Sequence, residues 1–275
     1  MWFFIFTKTR AMAKKIAIIG GGNLGTAIAE GLLKSKFSKP LEITITKRNV
    51  ATLKSFEQRH VKVTDNNSEA VKQSEVIILA IKPFQVNDVL NGIKKELGNN
   101  KMLISVVTGV TLNDIKGIIG EKTSLFRAMP NTAIAIQQSM TCICSDKVSS
   151  AETKYVHDLF NHLGRVVTID EKLMEAATIL AACGTAYAMR YIRANIQGGI
   201  EIGFDAATAS IIAAQTVKGA TELLLQNGSH PEQEIDKVTT PKGCTIAGLN
   251  EMEHQGFSSS LIKGIITSYK KIAKD

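Results

Sequence analysis

From Lys14 to about Asp170, short apolar runs alternate with stretches of helical periodicity. The runs read KKIAIIG, LEITITK, VKVTD, EVIILAI, KMLISVV, SLFRAM, MTCICS and RVVTID, in that order. Runs rich in Ile and Val that do not alternate with polar residues predict strands buried on both faces, and the helical stretches between them predict crossovers, so a mainly parallel sheet is expected. Cys142 and Cys144 share one face of the MTCICS strand and are read as core. After Asp170 the texture changes. EKLMEAATILAACGTAYAMRYIRANIQGGIEIGF, DAATASIIAAQTVKGATELLLQ and FSSSLIKGIITSYKKIAK are alanine-rich and helical in period, with no strand candidate. The fold expected is an α/β Rossmann-type domain over 14–170 followed by an all-α domain over 171–275, with residues 1–13 as an N-terminal extension. The segment 206–225 is apolar around most of its circumference, which suits either the core of a dimer or a core helix within one chain.

Composition narrows this little but excludes some classes. A chain of 275 residues with 44% hydrophobic content can bury a full core. The four cysteines form no CxxC pair, so reduced thiols and a cytoplasmic location are expected. A net charge of +8 comes from scattered lysines with no interleaved aromatics, which argues for anionic small ligands and against nucleic acid. The start, MWFFIFTKTRAMAKK, has an apolar run too short to span a membrane and basic residues on the wrong side for a signal peptide, so Met12 is the expected beginning of the domain. No later stretch reads as a membrane helix. The histidines at 60, 157, 162, 230 and 254 have no metal-ligand spacing, and no metal is expected.

Candidate chemistry begins at KKIAIIGGGNLGTAIAEGLLK. Gly20, Gly22 and Gly25 stand in G-x-G-x-x-G spacing directly after a strand and at the opening of a helix. The first allows the tight turn, the second lets a pyrophosphate approach the backbone, and the third lets the helix pack close to the strand. Asn23 and Leu24 complete the loop. At the end of the second strand, where an acidic residue would hold a ribose 2′-hydroxyl, the chain has Lys47, Arg48 and Asn49. Two cations and an amide suit a 2′-phosphate, so NADPH is favoured and NADH is the lesser partner.

LAIKP at 79–83 and RAMPNT at 127–132 follow the fourth and sixth strands. With GGGNLGTAIAEGL, LGRVVTIDE and VTTPKGCTIAGLNEMEHQGF, they make the chain resemble the pyrroline-5-carboxylate reductase family from Lys14 to near the C-terminus. The resemblance implies NADPH-dependent reduction of 1-pyrroline-5-carboxylate to L-proline, the last step of proline biosynthesis. It also implies a helical domain that joins a partner's in a homodimer, with larger rings of dimers in some relatives. By position it adds Asn67, Ala80, Ile81, Lys82, Pro83, Val107 and Thr108 to the cofactor site. The loop over 240–245 becomes the substrate loop, with Thr240, Gly243, Cys244 and Thr245 as its residues and the Thr245 hydroxyl, the one catalytic candidate, toward the ring nitrogen.

That last assignment also has a physical basis, since the N–H groups of Gly243, Cys244 and Thr245 at a helix start can anchor a carboxylate without an arginine. The bland alternative makes Thr239 or Thr240 the helix cap with Pro241 in its first turn. The chain departs from the family in three places: AACGTAY at 181–187 in place of a serine- and glycine-rich motif, Lys242 and Cys244 where the family has small residues, and Ala133 after MPNT. If residue 242 takes a positive φ, its side chain is costly there; if it points inward, it places a cation beside the carboxylate. The departures keep open a reductase of another cyclic imine or oxo acid, and a non-catalytic NADP-binding paralogue.

Overall fold

In the computed structural model, which describes residues 14–273, all eight runs are strands. They are β1 Ile16–Ile19, β2 Ile43–Thr46, β3 Lys62–Thr64, β4 Val76–Leu79, β5 Met102–Ser105, β6 Ser124–Met129, β7 Ser139–Asp146 and β8 Gly164–Thr168. The expected extension over 1–13 lies outside the described residues. The strands form one sheet in the order β3-β2-β1-β4-β5-β6-β7-β8. All neighbours are parallel except β6 and β7, which run antiparallel with Met129 opposite Cys142.

The helices that cover the sheet are α1 Asn23–Lys34, α2 Lys54–Glu57, α3 Asn67–Lys72, α4 Val86–Ile93, α5 Leu112–Ile119 and α6 Ser150–Asn161. Every residue of β1, β2, β4 and β5 is buried, which is why those runs lack a polar face. Alternate residues feed opposite cores. Ile16 and Ile18 join Ile28, Leu32, Leu159 and Phe160 of α1 and α6, whereas Ala17 and Ile19 join Val71, Leu90 and Ile115 of α3, α4 and α5. Cys142 and Cys144 are core residues, as read, and burial pushes the Cys144 thiol up to about 11, which leaves it protonated and inert.

The stretch after Asp170 stays attached to this unit. α7, Met174–Ala177, is followed by a π-helical turn over Thr178–Cys183. Met174 is fully buried in the second core. Arg127, only 2% exposed on β6, reaches Glu171 Oε1 at 2.8 Å and Glu175 Oε1 at 3.3 Å. The same Glu171 oxygen accepts the Leu112 N–H at 2.7 Å, so one carboxylate ties β6, α5 and the exit segment together. One compact unit therefore runs through Cys183 and the second starts at Gly184, beyond the change of texture at 170.

From Gly184 onward the described residues contain helices and no strand: α8 Gly184–Glu201, α9 Ala206–Asn227, α10 Pro231–Lys237, α11 Cys244–His254 and α12 Phe257–Ala273. Asp205 caps α9, its Oδ1 accepting the N–H groups of Ala207 and Thr208 at 3.0 Å, and Gly228 ends it in the left-handed conformation at φ 65°. Gly199 of α8 lets Ala209 of α9 come close: a Cβ at 199 would lie 3.2 Å from the Ala209 methyl. The Tyr187 hydroxyl donates to Ser268 Oγ at 2.7 Å, tying α8 to α12. Only Ala209 and Ala213 of α9 are buried within the chain, and Ile211 is 71% exposed. The reading of this segment as a core helix of one chain therefore fails. No helix among the described residues is long and apolar enough to cross a membrane.

Candidate functional site

The carboxyl ends of β1, β2, β4 and β5 bring the glycine loop and its neighbours to one edge of the sheet, with the strand order reversing between β1 and β4. Gly20 sits at φ 108°, and a Cβ there would lie 2.4 Å from the Ala80 carbonyl oxygen. Its N–H donates to Thr46 Oγ1 at 3.2 Å and that of Gly21 to Thr46 O at 2.7 Å, so the end of β2 holds the loop. A Cβ at Gly25 would come within 2.0 Å of Gly20 O, the close helix-to-strand packing that the spacing implied. Gly22 differs from both. It is the N-cap of α1 with no side-chain cap, and a Cβ would meet nothing within 4 Å. The N–H groups of Asn23, Leu24 and Gly25 in the first turn thus have no acceptor within the helix, and the positive end of the helix dipole is open.

The other expected cofactor residues fall along this edge with different capacities. Lys47 is half-buried and Arg48 exposed, and neither forms an ion pair among the described residues. Asn49 uses its Oδ1 to cap the next turn, accepting the Ala51 N–H at 3.2 Å, which leaves its amide N–H groups as donors. Asn67 opens α3, capped by Asn66. Ala80 and Ile81 are half-buried, while Lys82 and Pro83 are exposed and open a 3-10 turn. Val107 is 2% exposed, its side chain within the second core, which leaves its backbone as the part that faces the turn. Thr108 is half-buried at the same turn. Thr46 was missed by the sequence reading. Its hydroxyl lies in a buried strand position, where nothing in the pattern separates it from Thr44.

In the helical unit, Thr240, Pro241, Lys242 and Gly243 form a turn closed by the Gly243 N–H on Thr240 O at 2.9 Å. Lys242 takes φ 60° at its third position, where glycine is the relaxed choice; an L side chain in the left-handed region costs about 1 kcal/mol. A side chain at Gly243 would crowd the turn, because a Cβ would lie 2.4 Å from Thr240 Oγ1 and 3.0 Å from Thr240 O, so the threonine would have to shift. The bland capping alternative fails here. Thr239 donates its hydroxyl backward to Ile235 O at 2.8 Å, the N-cap of α11 is Gly243 with no side-chain cap, and Pro241 precedes the helix. The expected donor set also shifts by one residue. The Gly243 N–H is used in the turn, so the groups at the head of α11 with no acceptor inside the helix belong to Cys244, Thr245 and Ile246. Ile246 was left out because the use of the Gly243 N–H within the turn, which moves the donor set by one residue, is not visible in residue types. The AACGTAY departure straddles the π-helical turn and the start of α8, where a helix of this kind is locally widened. No cluster of metal-ligating side chains occurs among the described residues.

Comparison with known proteins matches residues 171–275 to the family described as pyrroline-5-carboxylate reductase dimerisation, and residues 15–109 to NADP oxidoreductase, coenzyme F420-dependent. Pyrroline-5-carboxylate reductase 1 of Dictyostelium discoideum is 47% identical over 94% of this chain, which spans about half (49%) of that protein's length. Pyrroline-5-carboxylate reductase 2 of the same organism is 42% identical over 95% of this chain and 93% of its own. The crystal structure of pyrroline carboxylate reductase of Plasmodium falciparum with NADP bound is 28% identical and superposes with a TM-score of 0.85, covering 94% of this chain and 96% of that one.

Proposed function

The chain belongs to the pyrroline-5-carboxylate reductase family, and from that premise we propose that it reduces 1-pyrroline-5-carboxylate to L-proline with NADPH, the last step of proline biosynthesis. The observation that carries the reading is the bare head of α11, an uncapped helix start whose N-cap glycine is crowded by Thr240. The cofactor fits on a separate observation, the open space at Gly22 beside uncapped N–H groups of α1. Asn23, Leu24 and Gly25 would hold the pyrophosphate by main-chain N–H, Lys47, Arg48 and Asn49 the 2′-phosphate, and Asn67, Ala80 to Pro83, Val107 and Thr108 the remainder.

NADPH, when bound, supplies the hydride that the imine carbon needs. The chain's own residues do the rest. The N–H groups of Cys244, Thr245 and Ile246 anchor the substrate carboxylate with the partial positive charge of the helix start. The Thr245 hydroxyl hydrogen-bonds the ring nitrogen and fixes which face of the ring is presented, the positioning that turns binding into rate. A threonine hydroxyl is too weak an acid to protonate the nitrogen alone, so the proton comes from water or enters with the substrate. The protein is a homo-oligomer built through its helical unit; the dimer is the basic state, rings of dimers a further one, and the cytoplasm its compartment.

The test is NADPH oxidation with 1-pyrroline-5-carboxylate, run beside NADH. Thr245→Ala should lower kcat/KM by about 100-fold and leave KM for NADPH unchanged. Full turnover by that variant would remove Thr245 from the mechanism, and no turnover by the unmodified protein would sink the proposal. Lys242 and Cys244, which stand where the family has small residues, keep one second reading, a reductase of another cyclic imine, which the same assay with a panel of ring imines decides.

A further inference from the structure

We propose that Thr46 is a positioning residue for the dinucleotide: its hydroxyl fixes the first glycine of the cofactor loop and by that sets cofactor affinity. The inference rests on the reading of 20–25 as the pyrophosphate loop. Gly20 stands where β1 ends and the chain turns, at φ 108°, beside the Ala80 carbonyl. A backbone held in so sparse a region keeps its geometry only while its surroundings fix it. Thr46 does that fixing. It closes β2 opposite Ile19, is buried, and accepts two N–H groups of the turn, that of Gly20 on its side-chain oxygen at 3.2 Å and that of Gly21 on its carbonyl oxygen at 2.7 Å. Any residue at 46 could keep the second bond. The first needs a side-chain acceptor.

The consequence is a division of donors within the loop. With the N–H groups of Gly20 and Gly21 turned back onto β2, those of Asn23, Leu24 and Gly25 at the uncapped start of α1 are left for a ligand. The strand also carries its own control. Thr44 lies two residues back on the same face of β2 and is buried too, yet it lines a groove with Lys62, Glu69 and Gln73 and makes no hydrogen bond to the glycine loop. A threonine hydroxyl thus occurs twice on this face, and one of the two is tied to the loop.

The experiment measures Kd for NADPH and for NADH by the fluorescence of the bound reduced nicotinamide, and the thermal midpoint without ligand, in the unmodified protein, Thr46→Val, Thr46→Ser and Thr44→Val. Thr46→Val keeps the side chain's shape and leaves the Gly20 N–H without its partner, so both cofactors should bind about tenfold more weakly, by the same factor because the pyrophosphate is common to them. Thr46→Ser should stay within about twofold of the unmodified protein, and Thr44→Val should match it. At saturating NADPH, kcat and KM for 1-pyrroline-5-carboxylate should not move in any variant. A lower thermal midpoint in Thr46→Val with unchanged Kd would make Thr46 structural only and overturn the proposal. So would a tenfold loss in Thr46→Ser, an equal loss in Thr44→Val, or a loss confined to NADPH. If Thr46→Val does not fold, Thr46→Cys, which offers a poorer acceptor, should lose about threefold, and full affinity there would overturn the proposal as well. Failure to reduce 1-pyrroline-5-carboxylate with these affinities as expected would overturn the proposed function and leave the role of Thr46 standing.

Discussion

The two compact units use similar apolar residues to different ends. In the α/β unit, Ile16, Ile28, Ile77 and Leu103 are fully buried, because helices cover both faces of the sheet. In the helical unit, Ile211 is 71% and Leu223 50% exposed, and among the described residues from Gly184 onward only Ala209 and Ala213 are buried hydrophobics. The first unit closes its core within one chain. The second carries the makings of a core whose other half must come from outside, since a face with this many aliphatic side chains marks an interaction surface. The sharpest way to break the comparison is Ile211→Glu. If α9 lies against a second copy, a carboxylate there should weaken association by about 3 kcal/mol or more and dissociate the oligomer in sedimentation. An effect within about 0.5 kcal/mol, as at ordinary surface sites, would make α9 a solvent face.

The α/β unit should show the opposite sensitivity, to changes inside one chain. Arg127→Met leaves Glu171 and Glu175 without their buried partner and frees the segment that leaves the sheet. Breaking a buried pair costs about 3 kcal/mol, at the low end because both carboxylates are partly exposed. Thermal unfolding should register that loss without a change of oligomeric state. Pairing it with Glu171→Met should recover part of the stability, since an apolar replacement of both partners avoids an unpaired charge.

What was legible in the sequence differs between the units for the same reason. A parallel sheet under two helical layers writes itself into the chain as unbroken Ile and Val runs, so each of the eight strands and the roles of Gly20 and Gly25 could be read. In the helical unit the pattern showed helices but not what covers α9, because an apolar face looks alike whether it is buried by its own chain or another. Residues 171–183 read as helical, and the match to the dimerisation family begins at 171 as well; by its contacts, through Arg127 and the buried Met174, this segment packs with the α/β unit. At the candidate site main-chain donors could be read from the helix starts, but not their register. That Gly243 uses its N–H within the turn, that Ile246 follows Cys244 and Thr245 in the set without an acceptor inside the helix, and that Val107 turns its side chain into the core are properties of φ, register and facing, which residue types do not encode.

A smaller effect tests the ligand edge of the first unit. Arg48 is exposed and unpaired beside Lys47, at the end of a strand with no acidic residue to hold a ribose hydroxyl. Arg48→Gln should raise KM for NADPH about tenfold and leave KM for NADH within twofold, the loss of one charge-assisted contact to phosphate. Equal changes for both cofactors would make the basic turn a general structural feature.

The smallest effect compares how the two units build their turns. Where the α/β unit needs positive φ at its glycine loop it has Gly20, and where the helical unit needs it in the turn before α11 it has Lys242. Lys242→Gly should therefore stabilise the helical unit by about 1 kcal/mol, less a few tenths because glycine also loosens the unfolded chain. Gly243→Ala, one residue on, should do the reverse, since its Cβ would press on Thr240 Oγ1. Denaturation of the two variants at fixed protein concentration, so that association does not vary, separates the signs. A loss of stability at 242 would instead mean that the lysine makes a favourable contact in the assembled protein, and that its left-handed backbone is held by packing against another copy.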